Sequence, residues 1–328
     1  MPNEAASTNA APVASAMTAC RIARFGGPEV LEFCDLPRPI PGLGEVLVRV
    51  KAAGVGPWDA LIRAGGSALV KEGSLPVTLG SDLAGVVEAV GEGVDAFASG
   101  DAVFGVTNGR FIGANAEFAL ADATRLAMKP QRLDFIAAAA MPVVSVTAWQ
   151  MLFDHARLQA GQTVLVLGGA GSVGACAVQL AHLHGAHVIA TTSSGDGAAV
   201  RALGADVVID LREGGLERAG LQADVVIDSV GGALQSRSWP LVKRGGSFVS
   251  VVSAPDEGLA KSAGVRSAFF YVDVGTPALK RIAALVDAGT LTARVGTVLP
   301  LRDARQAHEM LDGLRSRPAG KIALVVAP

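Results

Sequence analysis

The chain has 328 residues, half of them hydrophobic and 18% charged, with a formal net charge of -2. That length and apolar content suffice for two domains with cores of their own. The mixed, near-neutral charge provides no basic field for nucleic acid or an anionic membrane surface, so small neutral or weakly charged ligands are expected.

Taken in chain order, MPNEAASTNAAPVASAM (residues 1–17) carries neither the basic start nor the apolar run of a signal peptide or membrane anchor, and reads as a disordered tail. From Arg21 to about Lys129, glycine and proline interrupt short apolar stretches. EVLVRVKAAGV alternates as a strand with Val46, Val48 and Val50 on one face, so this half reads as a twisted, mostly antiparallel β domain. LDFIAAAAMPVVSVTAWQMLFDHA is helical in pattern but should break or restart at Pro142. TVLVLG, HVIATT, DVVID, ADVVIDSV and SFVSVV then alternate with helix-length segments, which implies a parallel sheet covered on both faces. RDARQAHEMLDGLRSR is an amphipathic helix, and KIALVVAP a last strand that needs a partner in the first domain.

The pattern Gly169-Ala170-Gly171-Ser172-Val173-Gly174 follows one strand and opens a helix. In that context the first glycine serves the tight turn, the second lets backbone approach a pyrophosphate, and the third lets helix and strand pack closely. The helix N-terminus favours the phosphates. A ligand-free βα turn is the weaker reading. An NAD site would place an acidic residue about 20 positions on. Here Thr191, Thr192, Ser193 and Ser194 stand instead, whose hydroxyls can donate to a 2′-phosphate without repelling it, so NADPH (NADP+) is favoured over NADH. Against this, Asp196 follows closely and no cation comes before Arg201, and a solvated loop explains the serines too. Ser229 and Val230, in DSVGG, end a later strand on the same sheet edge, as a border for the nicotinamide ribose or simply a turn.

The three cysteines, Cys20, Cys34 and Cys176, lack CxxC spacing, which argues against a disulfide framework or thiolate zinc site and fits a cytoplasmic location. His182, His184 and His187 form an HxHxxH run, but residues two apart on a helix do not share a face, so no metal is assigned to them. His155 and His308 have no evident partners.

With the glycine turn, the segments RIARFGGPEVLEFCDLPRPIPGLGEVLVRVKAAGVGPWDALIRAGG, LGSDLAGVVEAVGEGVDAFASGDAVFG, MPVVSVTAW and GKIALVV resemble the zinc-independent medium-chain dehydrogenase/reductase superfamily, in its quinone oxidoreductase and zeta-crystallin-like branch. The resemblance implies an α/β fold with a GroES-like β domain over 18–140, a Rossmann doubly wound parallel sheet over 141–289, a return to the first domain over 290–328, and a substrate cleft between them. It also implies a homodimer joined by extending the Rossmann sheet, with 269–274 as the edge strand. Zinc relatives carry a cysteine ligand near AAGVGPWD and a histidine ligand near LGSDLAG; this chain has Gly56 and Ser81 there. Thr147 matches the position from which relatives contact the nicotinamide, and otherwise caps the helix restart.

Without a Lewis acid the natural acceptor stabilises its own negative charge, as a quinone or an α,β-unsaturated carbonyl does. The family's cleft loop carries an asparagine and a nearby tyrosine; Gly56 and Leu61 replace them, and the sole tyrosine, Tyr271, is distant in sequence. Trp58 then offers a stacking surface, and Asp59 a proton source if burial raises its pKa, against core packing and a turn cap as their ordinary roles. Lys321 approaches the cofactor from the returning strand or ends an exposed strand, and Asn108 and Asn115 line the cleft or shape a loop. The expected activity is NADPH-dependent reduction of a quinone or enone. Its rivals are an enoyl-thioester reductase and a NADPH-binding structural or sensing protein with little turnover.

Overall fold

The computed structural model describes residues 16–326 except 194, 214 and 217–219. The first domain contributes strands β1 (Ala16–Ile22), β2 (Leu31–Pro37) and β3 (Glu45–Val55), helix α1 (Pro57–Arg63), then β4 (Val77–Thr78), β5 (Asp82–Val90), β6 (Ala102–Val106), β7 (Phe118–Asp122) and β8 (Leu126–Met128). Helices α2 (Phe135–Ala139) and α3 (Pro142–Trp149) follow, the break falling before Pro142, whose missing N–H costs nothing at a helix start. Next come β9 (Thr163–Leu167), α4 (Ser172–Leu183), β10 (His187–Thr192), α5 (Gly197–Ala202), β11 (Val207–Asp210), β12 (Ala223–Asp228), α6 (Gly232–Ser238), β13 (Val242–Ser250), α7 (Glu257–Ala263), β14 (Arg266–Phe269) and α8 (Thr276–Asp287). The chain closes with β15 (Val295–Pro300), α9 (Ala304–Leu311) and β16 (Lys321–Val325).

Two sheets matter for function. The parallel sheet has the order β11-β10-β9-β12-β13-β14, so the strand order reverses between β9 and β12. In such sheets the crevice for a ligand opens beyond the carboxyl ends at that reversal. Alternate residues of β9 face opposite layers: Val164 and Val166 join the core shared with α3, α4 and α8, whereas Leu165 and Leu167 join the core containing Trp239 and Phe248. The other sheet runs β15-β16-β3-β5-β6-β8, with β7 on β3. Its β16 pairs antiparallel with β3, Ile322 opposite Val55 and Leu324 opposite Ala53, so the last strand finds its partner in the first domain.

Strand β3 shows why its end reaches the cleft. Val46, Val48 and Val50 face one core as the alternation predicts, but a register shift between Val50 and Ala52 inserts a bulge. The bulge changes the phase, so Ala53 and Val55 rejoin that core while Ala52 turns to the core shared with α2 and α3. Phe104 of β6, fully buried, shares this core with Ala52, Ala84 and Ala127 of its own sheet and with Val143 and Val146 of α3, which packs on β6, and so couples the two domains.

Two expectations are corrected. The tail expected over 1–17 ends earlier, because Ala16 and Met17 already pair with Pro37 and Leu36 in β1; residues 1–15 lie outside the described residues. The run 269–274 is strand only at Phe269, since β14 spans Arg266–Phe269 and Pro277 lies too far on to be the cause of its end; pairing with β13 simply stops at Ser250. Among the described residues no helix is long and apolar enough to cross a membrane.

Truncating Phe104 to alanine should cost about 3–5 kcal/mol. Urea unfolding followed by tryptophan fluorescence measures it, and a loss below 1 kcal/mol, roughly one methylene's worth, would show that this contact does not join the two cores.

Candidate active site

A cavity of about 390 Å³ lies in the cleft, walled on one side by Gly168, Ala170–Val173, Thr192, Ser193, Ser229 and Val230, and on the other by Val55–Trp58, Val144, Leu311 and Arg317–Ile322. The first wall is the carboxyl edge of the parallel sheet at its reversal point. The second is built by the end of β3, the start of α1 and the approach to β16.

The glycine turn is rigid and open. Gly168, one residue before the GxGxxG pattern, takes the left-handed conformation (φ +80°), so the tight turn assigned to Gly169 belongs to its neighbour. Gly169 is needed for space instead: a Cβ there would meet the Ala190 methyl at 2.8 Å. At Gly174 a Cβ would lie 2.1 Å from the Gly168 carbonyl oxygen, which is the close helix-to-turn packing expected of the third glycine. Thr191 braces the turn, its hydroxyl accepting from the Gly168 amide at 3.0 Å and its carbonyl from the Gly169 amide at 2.8 Å. No side chain caps α4, whose N-cap is Gly171, so its first-turn amides remain available to an anion. Thr192 and Ser193 line the cavity beyond the turn; Ser194 lies outside the described residues.

The neighbouring edge is equally fixed. Buried Asp228 accepts from the amides of Val230 and Gly231, from the Gln235 side chain and from the Ser250 hydroxyl, at 2.8–3.0 Å. The Ser229 hydroxyl donates to the Leu167 carbonyl at 2.9 Å and is thereby spent on structure, while Val230 stays half exposed at the cavity. Asp196, the acid that stood against a phosphate, pairs with Arg294 at 2.9 Å and is not among the cavity-lining residues.

On the opposite wall, Lys321 is 2% exposed. Its ammonium donates to Asp82 Oδ2 at 2.7 Å and lies 4.0 Å above the Trp58 ring. Asp82 also accepts from the Val143 amide at 2.9 Å. Burial pushes its carboxyl up, against the pull of Lys321. The Trp58 indole donates to Ser81 Oγ at 3.0 Å, and its ring covers Gly56 so closely that a Cβ there would fall 2.3 Å from it. One indole thus closes both positions at which zinc relatives place ligands. Among the described residues no group of three or more His, Cys, Asp or Glu side chains could hold a metal. In the HxHxxH run, His184 sets its ring edge to Phe153 and His187 faces Asp206 at 3.2 Å.

Several candidates take the structural role that the sequence also allowed, away from the cavity. Asp59 is fully buried and absent from the cavity wall: it accepts from the Gly56 amide at 2.8 Å as the third residue of α1, and its other oxygen makes no full hydrogen bond. Burial pushes its carboxyl up to about 7, but a helix cap facing inward has no path to a substrate. Thr147 likewise does not line the cavity; its hydroxyl is bound back to the Val143 carbonyl at 2.7 Å, and Val144, on the same helix, lines the cleft instead. Asn108 shapes its own loop through Ile112 and Arg110, and buried Asn115 packs on Gly80, so neither lines the cavity.

Sequence reading missed the Asp82–Lys321 pair and Arg317. A signal existed for the pair: each is a lone charge in an apolar strand (LGSDLAG and KIALVV), and a buried charge needs a partner. It also missed the partners of His308, which is fully buried with Nδ1 3.2 Å from Arg63 Nη1, while Arg63 binds Asp312 at 2.7 Å. Burial and the Arg63 charge push His308 down to about 4.

The comparisons with known proteins agree with this arrangement. Residues 42–131 match a family described as alcohol dehydrogenase GroES-like domain, and residues 203–324 one described as zinc-binding dehydrogenase. The chain is 35% identical to a quinone oxidoreductase of Sus scrofa, covering 94% of this chain and 98% of that one. It is 35% identical to a 2-methylene-furan-3-one reductase of Solanum lycopersicum over 74% of this chain and 64% of that one. Among solved structures, the quinone oxidoreductase from Coxiella burnetii superposes with a TM-score of 0.87 at 31% identity, covering 95% and 100% of the two chains. Mycobacterial Rv1454c complexed with NADPH does so with a TM-score of 0.82 at 30% identity, covering 94% and 99%.

His308 and Asp59 give stability opposite dependences on pH. The folded chain keeps His308 neutral where the unfolded chain protonates it, so the stability it supports is lost as pH falls from 6.5 toward about 4. Asp59 holds a proton that the unfolded chain releases, so its contribution grows as pH falls from about 7 toward 3.8. Asp59→Asn should therefore lose on the order of 2 kcal/mol more than the parent between pH 6.5 and 4.5, and His308→Gln should lose about that much less. Urea midpoints across that interval measure both, and parallel pH profiles would refute the assignment.

Proposed function

Because the chain belongs to the medium-chain dehydrogenase/reductase superfamily, as its relatives show, we propose that it is an NADPH-dependent reductase of quinones or α,β-unsaturated carbonyls. The observation that carries this reading is the single cavity joining the open amide cradle of α4 to the Trp58 and Lys321 wall. When bound there, reduced nicotinamide supplies the hydride. The chain supplies position and electrostatics. The first-turn amides of α4 hold the diphosphate, and Val230 borders the cofactor at the strand edge. Trp58, held by Ser81, offers a flat apolar face for a conjugated acceptor and keeps water from it.

The preference for NADPH rests on Thr192 and Ser193, which bring hydroxyls and no carboxylate to the end of β10, and on neutralisation of Asp196 by Arg294. Arg317 adds the cation that the loop itself lacks: it lines the same cavity, and among the described residues its guanidinium donates to the Gly320 carbonyl alone, at 3.1 Å. Quinone oxidoreductases among the relatives favour a quinone acceptor, and the tomato reductase favours an enone. The functional unit we propose is a homodimer formed through the open edge of β14, next to which Tyr271 is 84% exposed against Phe269.

Initial rates of NADPH and NADH oxidation with a simple quinone and a simple enone, each corrected for the reaction without protein, test the activity. We expect NADPH to be preferred roughly tenfold in kcat/KM, about 1.4 kcal/mol, and preference for NADH would overturn the reading of Thr192 and Ser193. NADPH binding without consumption in any of these reactions would favour a binding protein instead. Sedimentation should give a dimer, and Tyr271→Asp should shift it toward monomer; a parent chain that sediments as a monomer refutes that interface.

A further inference from the structure

Lys321 has more hydrogen-bonding capacity than the protein uses. An ammonium carries three N–H donors. One goes to Asp82 at 2.7 Å, a second direction is covered by the Trp58 ring at 4.0 Å, and among the described residues no further acceptor meets it. A purely structural ion pair, 2% exposed, has no reason to sit in a cavity wall with a donor to spare.

The group is also held in place. Asp82, fully buried, is pinned by the Val143 amide, so the ammonium cannot swing out with its partner. The aliphatic stem passes Gly54 so tightly that a Cβ there would lie 2.9 Å from Lys321 Cε and 2.9 Å from Asp82 Cβ. Of the other side-chain donors at the cavity, the Trp58 indole is spent on Ser81 and the Ser229 hydroxyl on Leu167, while Arg317, on the same wall as Lys321, gives a bond to the Gly320 carbonyl. Lys321 is a fixed and almost fully buried donor, the arrangement that stabilises developing negative charge most strongly.

We infer that Lys321 is the catalytic electrophile of this site, binding the carbonyl oxygen of the acceptor and giving it the proton that hydride addition requires. The inference rests on the reductase reading for its chemistry. The β carbon of an enone takes a hydride from the dihydronicotinamide, forming one C–H bond, and the carbon–carbon π pair moves to leave charge on the oxygen. A Lys321 N–H bond breaks as the O–H bond of the enol forms. The acceptor is reduced by two electrons, the nicotinamide is oxidised by two, and solvent returns a proton to the Lys321 amine. A quinone follows the same balance to the hydroquinone. The titratable groups whose charge reaches Lys321 are Asp82 of β5, Asp59 of α1 and Cys176 of α4, with Arg317 on the same cavity.

A binding readout that needs no turnover tests this. 4-Nitrophenol, a flat phenol whose ionised form is seen by absorbance, is titrated with the full chain across pH. Bound to the parent protein it should ionise about one pH unit lower than free, a tenfold gain for the anion. Lys321→Met combined with Asp82→Asn, which leaves no orphan charge, should abolish that shift. Lys321→Arg keeps a cation that does not surrender its proton, so it should retain the phenolate shift while kcat for an enone with NADPH falls about a hundredfold, the scale of a lost general acid.

If the double variant fails to fold, Lys321→Arg decides the proton transfer, and the parent protein with Arg317→Gln decides the oxyanion role. A parent protein that leaves the phenol unshifted, a folded double variant that retains the shift, or a shift lost in Arg317→Gln rather than in the double variant would overturn the oxyanion role. Lys321→Arg at the parental rate would overturn the proton transfer. A parent protein that shifts the phenol yet consumes neither cofactor with any quinone or enone would refute the reductase reading while leaving Lys321 as an anion site.

Discussion

One carboxylate holds the site together. Asp82 starts β5 of the first sheet, accepts from the Lys321 ammonium at the start of β16, and accepts from the Val143 amide in the first turn of α3. Three segments far apart in sequence thus meet on one fully buried side chain. Such a pair is costly to bury, and its loss on one side leaves an uncompensated charge worth about 3–5 kcal/mol. Its return here lies in position more than in stability, since it fixes β16 and α3 where the cleft needs them and holds Lys321 at the cavity wall.

The other wall is built from backbone. Gly168 makes the turn, Gly169 and Gly174 leave no room for any side chain, and Thr191 locks the turn from the neighbouring strand. The adjoining edge is organised by Asp228 in the same spirit, one buried acid collecting two amides, an amide side chain and a hydroxyl. Both walls are therefore rigid before any ligand arrives, and among the described residues the cavity keeps the first-turn amides of α4, the Ser193 hydroxyl, Arg317 and Lys321 for a ligand. A site with these spare groups suits a diphosphate-containing cofactor at one end and an acceptor that gathers negative charge at the other.

Trp58 explains how a fold shared with metal-dependent relatives is kept without ligands at those positions. Glycine at position 56 and serine at 81 are small, and the indole fills the volume both leave, anchored by its own hydrogen bond. The same ring then serves as the floor under Lys321. Asp59, next in sequence, was legible as an acid with a raised pKa, and burial does raise it. Its direction was not legible: three residues into α1 its carboxyl turns back to the Gly56 amide, as helix capping geometry demands. Thr147 is drawn from the cavity for a similar reason, since a threonine inside a helix satisfies its hydroxyl on the carbonyl one turn back.

By itself the sequence determined everything that depends on local pattern. The period-2 alternation of β3, the break at Pro142, the strand–glycine turn–helix unit and the absence of an acid among the described residues at the tip of β10 all act within a few residues of chain, and each is present in the structure. Tertiary structure alone decided which charges meet. Asp82 and Lys321 are 239 positions apart, and Arg63 and His308 are 245. No spacing rule reaches across such distances. A buried charge announces that it needs a partner, but only the pairing of β16 with β3 and the packing of α9 near α1 settle which partner it receives, because Coulomb attraction and hydrogen bonding act over ångströms in space and not along the chain.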